Sequence, residues 1–183
     1  MRTLGPGSLV AGLKRVLDIV YYVLWALLGI ASLIILMIVA AGAYRLIGFS
    51  PSLPDSVLEF LQAEIIVTIP MGIVALGAVI FIIDRLRRIF LTLTAGDPFV
   101  PENAGHLRAI AGGIAAYQLL SYGSHGVIAL VFTLSGNPVE TASRIAPEFS
   151  LNLGGWFAVI AFIVLAEVFK EGARMRDEQK FTI

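Results

Sequence analysis

No cysteine occurs anywhere in the 183 residues, which removes disulfides, thiolate nucleophiles and every Cys-based metal site together. Charge is scarce as well: Asp, Glu, Lys and Arg make up 14% of the chain, where soluble domains average about 25%. The signs cancel, thirteen basic against thirteen acidic, so no global field draws the chain to nucleic acid, and direct nucleic-acid binding is not expected. Histidine is limited to His106 and His125. Placed on one helix, they would stand about 28 Å apart and could not share a metal. No metal and no cofactor is therefore expected.

What remains is apolar. Hydrophobic residues reach 58% and the mean hydropathy is +0.90. A soluble fold of this size buries only about 70% of its surface, too little to hide so much apolar area. Lipid is the expected solvent. Charges cut the chain into four uncharged runs: Ile19–Tyr44 (26 residues), Ile65–Ile83 (19), Ala109–Val139 (31) and Phe149–Ala166 (18). A helix needs roughly 20 apolar residues to cross a hydrocarbon core of about 30 Å. Ser135-Gly136-Asn137-Pro138 is a turn signal that ends the third helix near Leu134. Backbone groups left unpaired in lipid cost several kcal/mol each, so the spans must be helical.

The fold class is therefore an all-α integral membrane protein, a four-transmembrane-helix up-down bundle. Spans are expected at about 17–43, 65–84, 109–134 and 151–169. The helices themselves should cover about 17–43, 65–94, 101–134 and 151–178 of a single membrane domain, 1–183. The first run outlasts the roughly 7–15 residues of a signal-peptide core, so it is read as a retained span.

Orientation follows from Lys and Arg. Arg2, Lys14, Arg15, Arg85, Arg87, Arg88, Arg108, Lys170, Arg174, Arg176 and Lys180 fall on one side, and only Arg45 and Arg144 on the other. Both termini and the middle loop are expected in the cytoplasm. Tyr21, Tyr22 and Trp25, with Tyr44 and Trp156, stand near span edges, where interfacial aromatics belong. The pieces outside the bilayer, 84–108 and 167–183, are too short to fold alone. A separate catalytic or nucleotide-binding domain is thereby excluded.

The second span continues past the membrane boundary. Leu86, Ile89, Phe90 and Leu93 recur at helical spacing among Arg85, Arg87 and Arg88. This amphipathic helix either lies in the headgroup layer or extends the span as a stalk. Gly96-Asp97-Pro98 is a turn, and Pro101 suits the first turn of the next helix, where Glu102 also favours the dipole. Residues 95–108 form a cytoplasmic elbow whose Asp97, Pro98, Phe99, Pro101, Glu102, Asn103 and Arg108 are candidate partner-binding residues. The tail 167–183 is a charged helix laced by Glu167–Lys170, Glu171–Arg174 and Arg174–Glu178. It ends in Phe181, Thr182 and Ile183, an apolar terminus that docks on the elbow or adds an edge to a partner's sheet.

The run Gly96-Asp97-Pro98-Phe99-Val100-Pro101-Glu102-Asn103, followed by Leu107-Arg108, resembles the signature of an uncharacterised family of small bacterial four-helix inner-membrane proteins, a domain of unknown function. The tail, Ala166 to Gly172 and then Asp177 to Ile183, is similar to that family's ending. Members are often encoded beside a small helix-turn-helix regulator. The resemblance thus implies a bacterial inner-membrane protein that holds or controls such a regulator, and it brings no catalytic residue with it.

Inside the membrane, Gln118, Ser121, Tyr122 and His125 fall within an arc of about 100°. Such a polar stripe faces the bundle interior or a water-filled cavity. Small residues nearby (Ala111, Gly112, Ala115, Ala116, Gly123, Gly126) favour close helix approach. At the inner ends, Asp84 and Glu167 are expected to pair with Arg85, Arg88 or Lys170 across the bundle. Pro70 should kink the second span. The expected function is a non-enzymatic regulatory or scaffolding protein whose elbow and tail bind a cytoplasmic protein partner, with homo-oligomerisation open. The alternative is a small transporter or channel subunit working through the stripe.

Overall fold

The computed structural model describes residues 9–46, 63–134 and 152–180. Among them the chain is all-α: α1 (Leu9–Leu46), α2 (Ala63–Thr94), α3 (Pro101–Leu134) and α4 (Leu153–Lys180), with no strand. Two of these contain stretches long and apolar enough to cross a membrane, Val10–Ala40 in α1 and Leu153–Gln179 in α4. α1 begins well before the expected residue 17 and runs through Lys14, Arg15 and Asp18. Charge marks where an apolar run ends, not where a helix does. Similarly, α2 continues unbroken through Arg85–Arg88 to Thr94, and Pro70 lies inside the helix.

Three helix boundaries have a local cause. α2 closes with Gly96 at a positive φ of 84°. The Gly96 N–H donates to the Leu93 carbonyl at 3.2 Å and the Asp97 N–H to the Thr92 carbonyl at 3.0 Å. That pair of bonds is a Schellman cap, and glycine is the residue that enters the left-handed region at least cost. Pro101 then opens α3, so only about six residues separate the helices and 101–108 of the expected elbow are helical. At α4, the Asn152 side-chain oxygen accepts from the Gly155 N–H at 3.0 Å, an N-cap.

The chain divides into two compact units: Met1–Leu24, Ala78–Leu119 and Leu151–Ile183 form one, Trp25–Gly77 and Leu120–Ser150 the other. In the first, Ile89, Leu107, Ile110 and Ala166 make a buried core, with Leu86, Leu93, Ile114, Phe162 and Phe169 packed around it. These residues come from α2, α3 and α4. α3 runs antiparallel to both neighbours there. Phe81 meets Gly113 near one end of the α2–α3 pair and Thr92 meets Asn103 near the other. Of the second unit, the described part of α1 is exposed or half-exposed throughout, including Leu33, Leu36 and Met37.

Candidate functional site

The elbow is built around one amide. Asn103 is completely buried, 0% exposed. Its Nδ2 donates to the Thr92 hydroxyl oxygen at 2.7 Å and to the Pro98 carbonyl at 2.8 Å. Thr92 in turn donates to the Ile89 carbonyl at 2.7 Å. A carbonyl only accepts, so the amide's nitrogen must face Pro98, which settles its orientation. One side chain thus ties the end of α2, the turn and the start of α3, leaving its own Oδ1 without a hydrogen-bond partner among the described residues.

α4 clamps this turn from the side. Asp97 forms an ion pair with Arg176. Phe99 packs on Phe169 with ring centroids 5.7 Å apart, and it lies over Gly172, where a Cβ would fall 2.6 Å from the ring. A glycine inside a helix costs about 1 kcal/mol relative to alanine, and here it makes room for an aromatic ring. Arg108 pairs with Glu167 one step further along.

Several expected partner-binding residues are therefore occupied within the chain. Asn103 is sealed from solvent, Asp97 is spent on Arg176 and Arg108 on Glu167. Phe99 keeps 42% exposure, and Pro101 and Glu102 are exposed while Pro98 is half-exposed. Phe181, Thr182 and Ile183 lie outside the described residues. Of the inner-end ion pairs, one crosses between helices and two stay within a helix. Asp84 bonds Arg88 one turn along its own helix at 3.0 Å. Glu167 bonds Lys170 at 3.6 Å within α4, and its cross-helix partner is Arg108. Glu171–Arg174 and Arg174–Glu178 also form.

Of the polar stripe, Gln118 is buried, 3% exposed. Its amide occupies the place where Gly155 of α4 has no side chain, within 2.8 Å of the position a Cβ would take. Ser121 and Tyr122 are half-exposed, and the Ser121 carbonyl accepts from the Ser124 hydroxyl at 2.8 Å. The His125 side chain lies outside the described set. No group of three His, Asp or Glu side chains suited to a metal occurs among the described residues.

A third tie escaped the sequence. Arg87 donates to Asp18 of α1 at 2.5 Å, and its guanidinium lies 4.2 Å from the ring centroid of Tyr21 and 5.7 Å from that of Tyr22. Burial opposes the Arg87 charge, but the hydrogen bond and the charge of Asp18 outweigh it and raise its pKa. The signal was present: a carboxylate at the edge of an apolar run needs a cation from another helix. The glycine seats at 155 and 172 carried a signal too, since glycine in a helix interior usually has a packing reason.

Around His106, burial comes first and the positive charges of Arg85 and Arg88 second in lowering the imidazole pKa, against the opposing pull of Asp84 and Glu102. Arg85 lies 4.9 Å over the Phe81 ring.

No curated protein and no solved structure matches this chain. Residues 15–183 match the family described as Protein of unknown function (DUF2975), and the chain belongs to that family.

Proposed function

We propose that the chain is a four-span protein of the bacterial cytoplasmic membrane, with both termini and the elbow in the cytoplasm, acting as a non-enzymatic regulator or scaffold. Two strongly apolar helices and the apolar runs of the other two support the spans. The charge split supports the orientation: eleven of the thirteen Lys and Arg residues fall in the unit that contains the elbow.

The observation that carries the regulatory reading is the elbow itself. A turn of about six residues is fixed by a buried amide, a Schellman cap, an ion pair to α4 and a ring seated over Gly172. A loop that only returned the chain to the membrane would not need such fixing. Around this preorganised turn Leu91, Phe99 and Met175 each remain 42–52% exposed in a region read as aqueous. Apolar side chains held in water by a rigid frame suit a soluble protein partner. The helix-turn-helix regulator implied by the family resemblance is the first candidate. The alternative, flux through the polar stripe, is less favoured because Gln118 fills the α4 seat at Gly155.

The test is crosslinking in the native host's membranes, purification of the tagged chain and mass spectrometry. Leu91→Ser and Met175→Ser are the variants to compare, since neither residue is in the core or the clamp; deletion of Phe181–Ile183 tests the terminus. Recovery of a small regulator that both serine variants lose supports the reading. A set of recovered proteins identical in wild type and variants sinks it.

A further inference from the structure

We propose that the groove formed by the stalk of α2 and the first turns of α3 binds the phosphate of an anionic phospholipid, with Arg85 as its main contact and Arg88 and His106 flanking it. The inference rests on the membrane reading above, which puts Arg85 just past the apolar run Ile65–Ile83, at the depth of the inner headgroups.

Charge accounting comes first. On α2, α3 and α4, Arg87 is paired with Asp18, Arg88 with Asp84, Arg108 with Glu167, Arg174 with Glu171 and Arg176 with Asp97. Arg85 has no carboxylate among the described residues. Its Nε is buried without a hydrogen-bond partner among the described residues, an arrangement that costs free energy unless the rest of the guanidinium gains elsewhere.

Position comes second. The guanidinium is held over Phe81. Phe81 is itself wedged against Gly113, whose Cβ would lie 3.0 Å from the ring. Arg85 is thus aimed before any ligand arrives. Beside it on α3, Gly105 and Gly112 are exposed, with open space where their side chains would be. A headgroup and its glycerol can therefore approach the helix backbone.

Field comes third. His106 is biased towards its neutral form by burial and then by Arg85 and Arg88, even though Asp84 and Glu102 oppose them. The local potential is positive despite two carboxylates nearby. An anion answers that potential, while the ammonium of a zwitterionic headgroup works against it. Phe81 and, in the antiparallel register that sets Phe81 against Gly113 and Thr92 against Asn103, Gly112 lie on the membrane side of Arg85 while Gly105 lies on its elbow side, which suits a phosphate carried on acyl chains better than one free in solution.

The full chain, purified in a neutral detergent, is exchanged with mixtures of phosphatidylglycerol and phosphatidylcholine, and retained lipid is read by native mass spectrometry. Each engaged basic residue should favour the anionic lipid about fivefold. Arg85→Gln should lower the anionic preference about fivefold, Arg88→Gln should lower it less, and Arg174→Gln should leave it unchanged. A photoactivatable phosphatidylglycerol should label wild-type peptides spanning 81–88 and 105–113, which keeps the test intact if Arg85→Gln does not fold. Parity in wild type, undiminished preference in Arg85→Gln, label spread evenly over all four helices, or full displacement by excess inorganic phosphate would each overturn the proposal. Carbonate extraction and accessibility labelling of positions 95–100 are run alongside. Failure there removes the membrane reading, whereas an integral chain with the expected topology and no lipid preference removes only the lipid site.

Discussion

α1 and the elbow are held in opposite ways. Around the elbow, α2, α3 and α4 share a buried core, a buried amide and a clamp of opposite charges. Along α1 no described side chain is buried, and the tie it shows to another helix is Arg87 on Asp18 and Tyr21. One region completes its own packing. The other displays apolar side chains such as Ile30, Leu36 and Met37, each more than half exposed, which on the proposed membrane reading are covered by lipid. In a bilayer, helix association has no hydrophobic drive, since lipid tails are as apolar as leucine. Specific packing and polar ties must decide which helices stay together, and the chain concentrates both at the elbow.

The sharpest way to break this contrast is at Asn103. Asn103→Leu keeps the volume and removes both donors, leaving the Pro98 carbonyl and the Thr92 hydroxyl without their buried partner. At about 1–3 kcal/mol for each unsatisfied group, the loss should be roughly 2–4 kcal/mol. It should read out as a lower unfolding midpoint and as new proteolytic cleavage at 95–100. Protection of α1 in vesicles should not change. If the turn stays resistant, the amide is not what fixes it.

Gly172→Val comes next. Its Cβ would meet the Phe99 ring at 2.6 Å, and overpacking of this kind costs about 1–3 kcal/mol. Phe99 should leave its place over α4, so proteolytic cleavage at 95–100 should rise. Gly155→Ala meets only the movable end of Gln118 and should cost less. Equal effects at the two glycines would mean that the Phe99 seat is not special.

Asp18→Asn tests the α1 side. The Arg87–Asp18 pair is partly exposed, side chains 22% and 32%, so about 1 kcal/mol is expected, the upper end for pairs that water can reach. Crosslinking between positions 18 and 87 should fall while the elbow keeps its protease resistance. Loss of both together would show that α1 and the elbow are one cooperative structure, and the contrast would dissolve.

What the sequence made legible follows from the same division. Helicity and the number of helices came from apolar runs and turn residues, signals that solvent imposes on every residue in a span. The cap at Gly96 and the start at Pro101 were readable because glycine and proline constrain the backbone by themselves. Asn103 was read from the sequence as a partner-binding residue of the elbow. That its amide is buried depends on Thr92 and Pro98 arriving from either side, which no local pattern encodes. Asp18 was missed because it stood just outside the uncharged run and its partner is far along the chain. Asp84 found its cation one turn away on its own helix, where geometry guarantees contact, and not across the bundle.

His106 is the smallest lever and separates the two regions by pH. Burial first, then Arg85 and Arg88, hold its pKa below the ordinary 6.5, with Asp84 and Glu102 opposing. The unfolded chain regains the ordinary value, so between the two pKa values it binds more protons than the folded one. Stability from this group is therefore whole above pH 6.5 and is lost as pH falls towards the lowered folded pKa, below which the loss is complete. The unfolding midpoint in a neutral lipid should drop modestly from about pH 7.5 to about pH 5.5, and His106→Gln should flatten that drop. The α1 tie should not respond, because Arg87 keeps its charge throughout that interval, so crosslinking between 18 and 87 stays level as the elbow loosens. Parallel pH profiles for wild type and His106→Gln would remove His106 from the account and leave the pH dependence to the carboxylates.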